Sequence, residues 1–255
     1  MTLFEQALCL AGAGLWGGII VFLRVGAAMA ILPALGEQSL PMQLRLGLSV
    51  MLTLSVAPVI VPQMVMPPAD LPAFARALAT ESIAGTFMGL VLRLFILAIQ
   101  TAGAIMAQST SLSQIMGNAG ADPLPAIGHV LTISALALLM VTGFHTKAVA
   151  YLILSYDLIP PLQFPDPAAV AEAGRLRVAQ CFALAFTLAA PFVILSVLYN
   201  LTLGVINKAM PQLMVAFVGA PVITFGAIGL LFLCAPLVLQ VWVQAVEAFL
   251  AQPFG

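Results

Sequence analysis

The sequence predicts an all-α integral membrane protein with about six long apolar helical segments, some of them bent or hairpin-like. Two observations carry that prediction. First, the 38 residues between Lys208 and Glu247 contain no Asp, Glu, Lys or Arg, and the stretches 6–23, 46–69, 94–121 and 178–207 are equally uncharged. A helix needs about 20 apolar residues to cross hydrocarbon, so runs of this length suit a bilayer. Second, the chain is 63% hydrophobic and 7% charged, where soluble domains carry about 25% charged residues. With 255 residues there is space for several membrane helices and none for a separate soluble domain.

The elements follow from proline and glycine punctuation. The first segment spans about 7–32 and carries Arg24; Pro33 and Gly36-Glu37-Gln38-Ser39 close it. Met1 to Cys9 holds Glu5 and no basic residue, so the positive region of a cleavable signal is missing and this segment is expected to be retained as a helix. The second, about 42–61, opens after Pro41 and ends in the proline-rich run to Asp70. The third, about 72–106, holds Arg76, Glu81 and Arg93, and a polar loop follows at about 107–126. The fourth covers about 127–156, the fifth begins near Arg175 and reaches about Leu203, and the sixth covers about 212–250. As helices the third and sixth would be roughly 52 and 58 Å long, against a hydrocarbon core of about 30 Å. A break at Pro221 and Gly226, or at Pro236, is therefore expected in the sixth. The positive-inside count is undecided. With the N-terminus outside, Arg45 and Lys208 oppose Arg76, Arg175 and Arg177.

Two constellations stand out. Glu81, Gly85, Gly89 and Arg93 are spaced by four and share one helical stripe. Its two glycines form a notch that admits another backbone. The stripe serves either packing within this chain, with both charges paired there, or a contact face for another subunit. The second constellation is the run Gln108 to Pro123, polar and glycine-bearing between two apolar segments. It is either an ordinary solvent loop or a re-entrant, plug-like element with Ile115 and Met116 as its apolar tip, since irregular backbone at membrane depth needs protein or water around it. The twelve methionines suit core packing, and Met106 and Met116 could also line a deformable constriction.

Other chemistry finds little support. Cys9, Cys181 and Cys234 are isolated in apolar segments and read as small hydrophobes. His129 and His145 lie 16 apart with no carboxylate at ligand spacing, so no metal or other cofactor is expected. The chain contains no HExxH, GxSxG or GxxxxGK[ST] motif, so no catalytic residue is assigned and the protein is not read as an enzyme. The eight basic residues are dispersed, which argues against nucleic acid. A small-solute transporter would place ionisable groups mid-membrane in two related halves. No internal repeat is evident, and Arg24, Glu81 and Arg93 form no relay.

The residues also carry a family resemblance. Phe22 to Pro33 followed by Pro41-Met-Gln-Leu-Arg45, then Glu81, Gly85, Gly89, Ala102-Gly103 and Asp122-Pro123, resemble the FliR family of flagellar biosynthesis proteins. The most distinctive match runs from Ala190-Pro191 through Asn200–Leu213 to Gly219-Ala-Pro221, and includes Asn200, Gly204, Lys208, Pro211, Gln212 and Pro221. The resemblance covers nearly the whole chain in order.

It implies a non-enzymatic pore subunit of the flagellar type III export gate, multi-pass in the bacterial inner membrane at the flagellar basal body. In that family one copy joins several FliP and FliQ copies in a helical, pseudo-hexameric assembly, with FlhB as a further partner and unfolded flagellar proteins as cargo. Residues 1–175 would be similar in fold to FliP and 176–255 to FliQ, the latter as a helical hairpin. The family's plug maps to about 107–126. Here that loop has no aromatic residue, so sealing would rest on Leu112, Ile115 and Met116, with Gly117 and Gly120 giving flexibility. The injectisome subunit of virulence secretion is the alternative within the family, and a solute transporter the alternative outside it.

Overall fold

The computed structural model describes residues 3–37, 39–110, 126–210 and 215–253. Among these the chain is entirely helical and irregular, with no strand. The helices are α1 (Leu3–Met29), α2 (Met42–Ile60, extended by a 3-10 turn at Val61–Gln63), α3 (Leu71–Thr110), α4 (Ala126–Val141), α5 (Phe144–Leu158), α6 (Pro167–Ala209) and α7 (Val215–Ala251). Four of them are long and apolar enough to cross a membrane, or five if α4 and α5 form one broken span. The loop residues Leu112, Ile115, Met116, Gly117 and Gly120, and the block residues Pro211 and Gln212, lie outside the described residues.

Three departures from the sequence reading have local causes. The fourth segment is two helices, because Gly143 adopts a left-handed backbone (φ 76°) and opens α5. Glycine takes that conformation without steric cost. The fifth segment starts eight residues earlier than expected, at Pro167. The Asp166 carboxylate accepts the N–H groups of Ala168 and Ala169 at 3.3 Å, and a proline at the first helical position has no N–H to leave unsatisfied. Finally, α7 stays helical through Pro221, Gly226 and Pro236, so no hairpin turn interrupts it.

The chain divides into two compact units. The first comprises Met1–Leu94, Leu139–Arg177 and Ala248–Gly255. Its core joins α1, α2 and α5 through Val21, Val25 and Ala28, Val56 and Ile60, and Leu152 and Tyr156. Those spacings of three and four put each set on one helical face. Trp16 donates from Nε1 to the Pro67 carbonyl at 3.2 Å and tethers α1 to the proline-rich run. The second unit comprises Phe95–Leu138 and Val178–Glu247. There Ala185, Leu188, Ala189, Phe192 and Ser196 form the buried stripe of α6. Trp242 of α7 is fully buried, and its Nε1 donates to the Phe95 carbonyl at 2.7 Å.

The cap at Asp166 generates a test. Asp166→Ala is expected to fray the first turn of α6 and to destabilise the protein by about 1 kcal/mol. A thermal melt in detergent checks this; an unchanged melting temperature would show that Pro167 alone starts the helix.

Candidate functional site

Arg24 of α1 and Glu81 of α3 meet within the first unit. Both side chains are fully buried, with Arg24 Nε donating to Glu81 Oε2 at 2.7 Å. A lone charge in such a place costs several kcal/mol, so the pair persists only if its remaining hydrogen-bonding groups are also met. Most are. Arg24 Nη1 donates to the Ile159 carbonyl at 2.9 Å and to the Ser155 carbonyl and hydroxyl at 3.3 and 3.4 Å, all at the C-terminal end of α5. That end presents carbonyls without helical partners, which suits a cation. The guanidinium also lies over the Tyr156 ring, 3.8 Å from its centroid. Glu81 Oε1 accepts the N–H of Leu162 at 2.7 Å. Leu162 itself holds a left-handed backbone (φ 61°), a conformation that costs a leucine roughly 1–2 kcal/mol and that this bond helps to hold.

The glycines of the same stripe let α3 come this close. A β-carbon on Gly85 would lie 2.1 Å from the Arg24 carbonyl oxygen, and one on Gly89 2.7 Å from that of Ala28. One turn beyond, Arg93 pairs with Glu37 in the turn after α1, at 27% and 20% side-chain exposure. The stripe Glu81, Gly85, Gly89, Arg93 thus meets α1 and its following turn within this chain, and Arg93 with Glu37 is its solvent-reachable end. Sequence reasoning named Arg24 and Glu81 separately and missed their pairing. The signal was present: a single arginine deep in one apolar segment requires an acid deep in another.

In the second unit, α3 and α4 flank the loop expected at 107–126, with α3 itself running on to Thr110. Gly103 and Gly128 bring their backbones together so closely that a β-carbon on Gly103 would sit 2.3 Å from the Gly128 Cα. Met106, one turn nearer the loop, is fully buried. The C-terminal block has the opposite character. Asn200, Gly204 and Lys208 are exposed on the last turns of α6; Asn200 donates from Nδ2 to the Ser196 hydroxyl at 3.2 Å, and nothing lies within 4 Å of where a Gly204 β-carbon would be. Around them α6 exposes Phe182, Phe186, Ile194, Val197 and Leu201, and α7 exposes Phe225, Phe232 and Leu233. Within their most apolar windows this chain buries only 28% of α6 and 22% of the described part of α7. Helices apolar on every side are covered by lipid or by other protein.

Removing one member of the buried pair should cost about 3–5 kcal/mol, because the other charge is left without compensation. Arg24→Leu and Glu81→Leu are each expected to lower the melting temperature in detergent sharply, and the double variant to recover part of the loss. If the double were as unstable as either single, the bonds to Ser155, Ile159 and Leu162 would outweigh charge neutralisation.

The geometry describes a chain that buries one ion pair within itself and leaves its apolar faces open, and comparison with known proteins is consistent with this. Residues 15–249 match the family described as "Bacterial export proteins, family 1". The flagellar biosynthetic protein FliR of Caulobacter vibrioides is 32% identical over 228 residues, covering 88% of this chain and 90% of that protein. The FliR of Escherichia coli is 29% identical over 226 residues (85% and 83%), and that of Bacillus subtilis 26% over 210 residues (80% and 80%). With a family match across nearly its whole length, this chain belongs to the bacterial export proteins of family 1.

Proposed function

We propose that this chain is a non-enzymatic gate subunit of the flagellar type III protein export apparatus, multi-pass in the bacterial inner membrane. The observation that supports this most directly is the extent of uncovered apolar helix in a chain similar end to end to flagellar FliR proteins. A self-sufficient transporter would cover more of α6 and α7 with its own helices. The partners on this reading are FliP, FliQ and FlhB-type subunits, with one copy of this chain per assembly. Residues 1–175 act as the FliP-like part and 176–255 as the FliQ-like part. Neighbours meet the exposed Asn200, Gly204 and Lys208 and the adjoining Pro211, Gln212 and Pro221, and reach the α3 stripe at Arg93. The three relatives named above are all flagellar biosynthetic proteins, which favours a flagellar over an injectisome system.

Gating is assigned to the loop at 107–126. Leu112, Ile115 and Met116 close the channel at rest, Gly117 and Gly120 let the loop move, and an unfolded flagellar protein displaces it. The close Gly103–Gly128 contact at its base supports this role by fixing where the loop begins and returns.

Native mass spectrometry of a tagged copy, co-expressed with its neighbouring genes, is expected to find one copy in a large hetero-oligomer. A stable monomer or homo-oligomer that retains no other protein would overturn the gate reading. In the reconstituted assembly, shortening 112–120 is expected to raise ion conductance at least several-fold. Unchanged conductance would remove the plug role while leaving the subunit role standing.

A further inference from the structure

Ala102-Gly103 belongs to the family pattern of this chain, yet neither the buried ion pair nor the exposed faces of α6 and α7 use it. Gly85 and Gly89 give α1 and α3 room for the Arg24–Glu81 pair. Gly103 stands in different company. At its level the buried side of α3 is Ile99, Ala102, Gly103 and Met106, and that of α4 is Gly128, Leu131 and Ala135, with no charged residue among them. Spacings of three and four put each set on one helical face. Apolar packing alone does not require glycine there. Glycine within a helix costs about 1 kcal/mol relative to alanine, and alanines at both positions would pack the same faces with the two axes slightly further apart.

The contact is also one-sided. A β-carbon on Gly103 would fall inside the contact distance of the Gly128 Cα and 3.1 Å from the Gly128 nitrogen, so only a shift of backbone could make room for it. A β-carbon on Gly128 would meet the Gly103 carbonyl carbon at 3.4 Å and the Ala104 nitrogen at 3.7 Å, which is ordinary van der Waals contact. Gly103 therefore sets the spacing, and Gly128 has room to spare. The crossing is unevenly placed as well. Gly128 is two residues into α4, whereas α3 runs seven residues past Gly103 to Thr110, about 10 Å of helix. Separating the backbones at Gly103 displaces the end of α3 relative to the start of α4.

We infer that Gly103 is a positioning residue of the gate. By seating the α3 backbone on Gly128 it sets the distance that the intervening loop has to bridge, and through that distance how tightly the loop seals at rest. The inference rests on the reading of that loop as the gate.

The test measures resting ion conductance of the reconstituted assembly, with subunit stoichiometry followed by native mass spectrometry. Gly103→Ala is expected to raise conductance several-fold with stoichiometry unchanged, while Gly128→Ala stays at the wild-type level. Combined with shortening of 112–120, Gly103→Ala should add nothing to the leak of the shortened loop, because no seal is left to misplace. A residue needed only for folding would reduce the yield of assembly and show no such dependence on the loop. Should Gly103→Ala fail to assemble, Gly128→Val decides, because its branched β-carbon presses on the α3 backbone from the opposite side and is expected to leak where Gly128→Ala does not. Wild-type tightness in the deciding variant beside a leaky shortened loop would overturn the role of Gly103 and leave the gate standing. Equal leak from the two alanine variants would overturn it too. A shortened loop that does not leak removes the gate reading, and this inference with it.

Discussion

Two opposite charges must share one place inside a hydrocarbon-facing protein, and much of the first unit is arranged to allow it. Neither Arg24 nor Glu81 could be buried alone, since each would cost several kcal/mol at the centre of an apolar helix. Their pairing fixes α1 against α3. The leftover donors of the guanidinium then fix the end of α5, and the leftover acceptor of the carboxylate fixes Leu162 in a backbone that leucine disfavours. One ion pair therefore sets the positions of three helices and the turn that leads toward α6. The glycines at 85 and 89 are its steric condition, because side chains there would hold α1 away from α3. Ionic interactions of this kind are weak evidence for stability relative to a well-packed apolar core, whereas breaking one by removing a single partner is strongly destabilising.

The buried ion pair contrasts with the outer faces. Arg24 and Glu81 are wholly enclosed, with Arg24 Nη2 left unmet, yet α6 and α7 expose phenylalanine, leucine and valine on most sides. A chain that met lipid alone would need no particular side chains on those faces. The most distinctive block of the sequence lies there, with Asn200, Gly204 and Lys208 exposed at the end of α6. Gly204 is the telling residue. Glycine in a helix interior costs about 1 kcal/mol relative to alanine, and among the described residues nothing approaches it. A helix from a neighbouring subunit packing at that position would give the glycine a purpose.

The all-helical membrane class was legible because it depends on runs of residue type, and charge-free stretches survive any uncertainty about boundaries. The stripe on α3 was legible because its period is that of the helix. What local patterns could not show was which neighbour the stripe would meet, since Arg24 and Glu81 are 57 residues apart and nothing between them encodes the contact. The break at Gly143 was hidden because a single glycine in a strongly apolar segment resembles any other helical glycine until its backbone angle is known. The early start of α6 was visible in principle, in Asp166-Pro167 as a cap and a first-turn proline, but the proline-rich surroundings made it read as loop. The unbroken run of α7 through Pro221 and Pro236 shows tertiary and membrane context overriding a local breaker.

The glycine pair at the base of the 107–126 loop bears on how a gate of this kind can work. A loop that both seals and yields needs a foundation that does neither. Gly103 and Gly128 let the two helix backbones approach closely, and the buried Met106 lies one turn further along α3. Any side chain at Gly103 would force the stems apart and shift both ends of the loop together. Fixing the stems confines the conformational change to the residues between them, so an arriving polypeptide has only a short segment to move. Whether the loop is the plug proposed above turns on the conductance measurement, and the fixed stems are what the structure contributes to that reading.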